Sequence, residues 1–64
     1  MKRLIRRPAV EELTGLAKST IYQMMHEGRF PRAVRLGGRA VAWPESEIHG
    51  WLEEKIAERE ASNG

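Results

Sequence analysis

The 64-residue chain contains no cysteine, which excludes both a disulfide framework and a thiolate metal site. Long apolar runs are equally absent. The start, Met1-Lys2-Arg3-Leu4-Ile5-Arg6-Arg7, returns to arginine after two apolar residues, too few for a membrane span or a signal-peptide core. Histidine is scarce: His26 and His49 fall on different predicted helices and are too few for a metal site without carboxylate help. No phosphate-cradling loop occurs, because Gly37-Gly38-Arg39 lacks a following Lys-Ser pair and a strand-to-helix context. Ser19 and Thr20 have no neighbour that would activate a hydroxyl. These absences predict a non-enzyme with no cofactor, no metal and no membrane, soluble in the cytoplasm. At this length we expect one domain over residues 1–64, with a small core and no room for a separate ligand-sensing domain.

What is present is charge, unevenly placed. The net formal charge is only +2. Residues 1–41, however, hold nine Lys and Arg against three Glu, while residues 42–64 hold Lys55 and Arg59 against six Glu. A basic part followed by an acidic segment is the asymmetry of a nucleic-acid binder with one working face. Charge also segregates by chance in short chains, and the glutamates of the last segment by themselves read as a solvated surface.

The stretch Leu13-Thr14-Gly15-Leu16-Ala17-Lys18-Ser19-Thr20-Ile21-Tyr22 gives that charge a context. A first helix, about residues 8–14, starts at Pro8, whose missing N–H costs nothing in a first turn, with Glu11 and Glu12 near the positive helix end. Ala9, Val10 and Leu13 supply its apolar stripe, and Gly15 ends it. A second helix, about 18–27, begins within three residues and stops at Gly28. That spacing is a helix-turn-helix. Ile21, Met24 and Met25 share one side of the second helix; Lys18, Ser19, Tyr22, Gln23 and His26 share the other. Each of those five can hydrogen-bond, as a helix reading a DNA major groove requires. An ordinary surface helix has the same two faces. The turn before it and the segment after it favour recognition.

Phe30-Pro31 begins an extended stretch, and residues 33–43 read as a hairpin wing. Val34 and Leu36 alternate with Ala33 and Arg35, and Val41 and Trp43 with Ala40 and Ala42, around Gly37-Gly38. A two-residue Gly-Gly loop would pair Val34 with Val41 and turn both toward the core with Trp43. Arg35 would then project to the outer face, with Arg39 at the tip. Leu4 and Ile5 are expected as a short extended piece over the core. Pro44 starts a last helix, about 45–59, with Glu45 and Glu47 in its first turn. Ile48, Trp51, Leu52 and Ile56 form its stripe, Gly50 costs it roughly 1 kcal/mol relative to alanine, and residues 61–64 should fray. The expected fold is therefore mainly α with a small β-hairpin, a winged helix-turn-helix of three helices plus a wing.

Several segments, in this order and spacing, resemble the AlpA-type phage regulators, which are related to MerR-type and excisionase DNA-binding domains. They are Glu12-Leu13-Thr14-Gly15-Leu16, Ser19-Thr20-Ile21-Tyr22, Glu27-Gly28-Arg29-Phe30-Pro31, Val34-Arg35-Leu36-Gly37-Gly38-Arg39-Ala40-Val41, and Trp43 followed by Ser46-Glu47-Ile48 and Trp51-Leu52. The resemblance spans roughly residues 3 to 55. It implies a MerR-like winged helix-turn-helix acting as a transcriptional regulator of a prophage or other mobile element. Lys18, Ser19, Tyr22 and Gln23 fall on its recognition helix, Arg35 and Arg39 on its wing, and Trp43 and Trp51 on structural positions. One departure stands out: Ala17 occupies a position commonly held by a capping serine, and loss of such a cap costs about 1 kcal/mol.

The expected DNA-binding residues are Lys18, Ser19, Tyr22, Gln23, His26, Arg35 and Arg39, with double-stranded DNA as partner and the nucleoid as location. So small an interface calls for a homodimer or a cooperative array on DNA. Two alternatives stand beside this reading. One is an excisionase-like protein that bends DNA and recruits a recombinase. The other is a protein-interaction or antitoxin-like module using the surface around Trp51 and Leu52.

Overall fold

The computed structural model describes residues 3–62, the last by its backbone alone. In chain order the elements are β1 (Leu4–Arg6), α1 (Arg7–Thr14), α2 (Lys18–His26), β2 (Val34–Gly37), β3 (Ala40–Pro44) and α3 (Glu45–Ser62). The architecture is a winged helix-turn-helix, mainly helical, with a small antiparallel sheet.

Local rules account for both helix stops. Gly15 takes φ 73° and donates to the Glu11 carbonyl at 2.7 Å, the left-handed cap that glycine adopts without a Cβ clash. The Thr14 hydroxyl fastens the turn: it donates to the Val10 carbonyl at 2.8 Å and accepts from the Leu16 N–H at 3.2 Å. At the end of α2, Gly28 N–H donates to Met25 and Arg29 N–H to Met24, at 3.1 and 2.8 Å. These are the paired bonds of a Schellman motif. Ala17 is the N-cap of α2, with extended backbone and no side-chain cap. The first N–H groups of that helix are thereby left for solvent or a ligand.

The sheet runs in the order β1-β3-β2, so the Leu4–Ile5 piece is a strand, with Ile5 opposite Trp43. The hairpin register differs from the expectation. Val34 pairs with Ala42 and Arg35 with Val41, while Gly37 pairs with Ala40 and leaves Leu36 as the extra residue of a bulge. Gly38 and Arg39 form the turn, not Gly37 and Gly38. Gly38 has φ 53°, the positive value that a type II′ turn needs at its first central position. Shifting the pairing by one residue exchanges the two faces of the strand. Val34 therefore leaves the side of Val41 and Trp43 and is 40% exposed. Arg35 takes the side that Val34 was expected to hold.

The core gathers Ile5, Val10, Ile21, Phe30, Trp43 and Ile48 from every element except β2. Full burial of an aliphatic side chain such as Ile21 or Ile48 contributes roughly 1.5–3 kcal/mol. Trp43 is completely buried because β3 is the central strand. Of the stripe expected on α1, Val10 alone is buried; Ala9 is exposed and Leu13 is 45% exposed. Pro44 closes β3 instead of opening α3, whose first N–H, from Glu45, donates to the Arg3 carbonyl at 2.7 Å. The burial of the α3 stripe decays along the helix, from Ile48 through half-buried Trp51 and Leu52 to exposed Ile56. The helix continues past residue 59, so that Ala61 and Ser62 belong to it; Asn63 and Gly64, also expected to fray, lie outside the described residues.

Candidate nucleic-acid interface

The outward side of α2 presents Lys18, Ser19, Tyr22, Gln23 and His26, all exposed. The observed register brings the wing to that side. Tyr22 and His26 from α2 share a groove of about 490 Å³ with Arg35 from β2 and Arg32 from the loop before it. Met25, Ala33 and Val41 give the same groove an apolar part. Val41 also lines a second hollow of about 180 Å³, together with Arg6, Arg7, Pro8 and Arg39. The two hollows share that valine and between them take in five arginines, a tyrosine and a histidine, and no carboxylate among the described residues lines either one.

Arg7, the first residue of α1, is paired within its own helix. Its guanidinium donates to Glu11 Oε2 at 2.9 Å, and Glu11 first, with the Tyr22 side chain second, raises its pKa above the usual value. Further along α2, Glu27 binds Arg29, with Nε to Oε1 at 2.9 Å, and accepts from Gln23 Nε2 at 3.4 Å. Arg29 chiefly, and Gln23 next, hold the Glu27 carboxyl below the ordinary carboxylate range.

Of the seven residues expected from sequence, Tyr22, His26 and Arg35 meet in one groove and Arg39 borders the adjoining hollow. Lys18, Ser19 and Gln23 are exposed on α2 but line neither. Arg35 is there for a reason opposite to the expected one, since it faces α2 and not the outer surface. Arg6, Arg7 and Arg32 were not among the expected residues. Their only sequence signal is the basic surplus of residues 1–41, which carries no periodicity to say where each charge points.

Two tryptophans fix the chain where it enters the wing. Trp43 Nε1 donates to the Pro31 carbonyl at 2.9 Å, and Trp51 Nε1 to the Arg29 carbonyl at 2.8 Å. Phe30 packs edge-on to both, with centroids at 6.3 and 4.8 Å. Lys55 Nζ stands 5.4 Å from the Trp51 ring centre. Trp51 is therefore half-buried and engaged within its own chain. Beside it lies a larger concavity, about 610 Å³, with Glu47 and Glu54 as well as Arg29 and Lys55 in its walls. It carries both signs of charge and none of the seven expected residues.

Sequence comparison decides the family. The family described as Prophage CP4-57 regulatory protein (AlpA) matches residues 3–56, from β1 through most of α3. The chain belongs to the AlpA family. It is 47% identical over 58 residues to the uncharacterised protein ORF88 of Enterobacteria phage P4, covering 91% of this chain and 66% of that protein. It is 37% identical over 59 residues to the DNA-binding transcriptional activator AlpA of Escherichia coli (strain K12), covering 83% and 84% of the two chains. The family match takes in the helix-turn-helix, the wing and both tryptophans of the clamp. Among the described residues no helix is long and apolar enough to cross a membrane.

Proposed function

We propose that this chain is a sequence-specific, double-stranded-DNA-binding transcriptional regulator of a prophage or mobile element. The observation that carries the reading is the set of five arginines in two hollows that share Val41, Arg32 and Arg35 with Tyr22 and His26 in one and Arg39, Arg6 and Arg7 in the other, beside the exposed face of α2. A similar protein bearing the name DNA-binding transcriptional activator supports it. In this reading α2 lies in the major groove, where Lys18, Tyr22 and Gln23 reach base edges and nearby phosphates and Ser19 a phosphate. Arg32 and Arg35, in the groove between helix and wing, grip the phosphate strand that separates major from minor groove. Arg39 at the turn reaches the minor-groove side. The uncapped N–H groups at the start of α2 suit a further phosphate oxygen. The reading needs no catalytic step and no cofactor, and it gains specificity from a dimer or a cooperative array on repeated sites.

Selection of bound duplexes from randomised DNA, followed by affinity measurements over a range of salt, tests it. Affinity should fall steeply with salt, and Arg35→Ala should lower the slope by about one. Salt-independent binding, or no binding to any duplex, would overturn the proposal.

A further inference from the structure

We infer that Leu36 is an apolar wedge that enters the minor groove beside Arg39 and bends the bound DNA. The inference rests on the DNA-binding reading above and adds to it an architectural activity with a named residue. At 50%, Leu36 is the most exposed large apolar side chain among the described residues, in a chain with few apolar residues to spare for its core. It has no place in the sheet ladder: Arg35 pairs with Val41 and Gly37 with Ala40, so Leu36 is the inserted residue of the bulge. Bulges re-aim a side chain away from the regular strand alternation.

The surroundings suit a minor groove. Gly37 and Gly38 follow directly, and a Cβ placed on either meets nothing within 4 Å, so among the described residues nothing crowds these two positions. A hairpin end without side chains at two successive positions is thin enough for a groove about 6 Å wide. Arg35 precedes the leucine and Arg39 follows the glycines, placing a cation on each side to bind the phosphates that border the groove. An exposed leucine flanked by arginines is the chemistry by which architectural proteins part a base step: the apolar side chain enters the opened stack and the cations offset the strain on the backbone. Scattered apolar residues occur on any surface. This one sits at the bulge of the wing, between Arg35, which lines one of the two hollows, and Arg39, which lines the other.

The test uses the full chain and a duplex recovered by selection with it, carrying fluorescence donor and acceptor at its ends and 2-aminopurine at the steps the wing covers. Wild type should raise energy transfer and 2-aminopurine emission together. Leu36→Ala should keep the wild-type circular dichroism spectrum and salt slope, bind about three- to tenfold more weakly, and lose most of both signals. Leu36→Met should retain them, because methionine also serves as a wedge. A Leu36→Ala chain that bends DNA as wild type does would overturn the inference. So would wild-type binding without bending, or a Leu36→Ala defect confined to cooperativity between copies, which would make this residue a protein contact. A wild-type chain that binds no duplex would instead overturn the DNA-binding reading, and this inference with it.

Discussion

Residues 29–31 and residues 34–39 follow each other closely, and neither is helical, yet the fold treats them in opposite ways. The first stretch is clamped: each flanking carbonyl accepts an indole N–H, and Phe30 is buried edge-on between two tryptophans. Every residue of the second stretch is exposed, its ladder is interrupted by a bulge, and its turn rests on a glycine of positive φ. The contrast shows how a small protein presents an exposed wing accurately. The aromatic clamp fixes where the wing begins, so the wing itself needs no core residues and is free to carry arginines and an exposed leucine.

The strongest way to break this arrangement is Trp43→Ala. It removes a completely buried side chain and leaves the Pro31 carbonyl without its donor, at a cost of about 3–5 kcal/mol. In a chain this small that is most of the expected stability. Thermal and urea unfolding should show a largely unfolded chain at room temperature. Two glycines then sharpen the comparison. Gly50, in the wall of the concavity beside the clamp, has ordinary helical backbone, and a Cβ added there would meet nothing within 4 Å. Gly50→Ala should therefore raise stability by about 0.5–1 kcal/mol. Gly38→Ala, at φ 53°, should lower it by about 1 kcal/mol although the space is equally open. Urea midpoints of the two variants should move in opposite directions.

Arg32 tests the boundary between the stretches, since it directly follows the clamped Pro31 yet lines the groove with Tyr22 and Arg35. Arg32→Ala should change stability by less than about 0.5 kcal/mol while lowering the salt slope of DNA binding by about one. The smallest effect expected is at Glu27, an exposed carboxylate held by Arg29 and Gln23. Its folded pKa is lowered, so its contribution is complete above the ordinary carboxylate value and is lost as pH falls through the folded value. Melting temperature should accordingly fall less on acidification for Glu27→Gln than for wild type. Equal pH profiles would assign the pair no part in stability.

Much of the helical framework was legible because its signals are local. Gly15 and Gly28 mark the helix ends by a backbone preference that needs no neighbours, and the outward face of α2 follows from spacing within one helix. The wing was legible as a hairpin but not in its register, because Gly37-Gly38 and Gly38-Arg39 both offer a two-residue turn and the bulge at Leu36 leaves no mark in the alternation. Phe30 escaped notice as a core residue since a single aromatic in a loop has no period. Arg6, Arg7 and Arg32 escaped for a related reason: they line two hollows assembled from segments far apart in sequence, with Val41 common to both.

The amino-acid sequence thus determined by itself that there are two short helices around a glycine turn, a glycine-tipped hairpin and a long acidic helix. Each depends on interactions within a few residues, which composition and spacing encode directly. Only the tertiary structure decided that Arg35 faces α2 and that Val34 does not reach the core. Those outcomes turn on a one-residue choice of strand register. A register is set by the turn, the bulge and the packing of Trp43 acting together, and none of the three settles it alone.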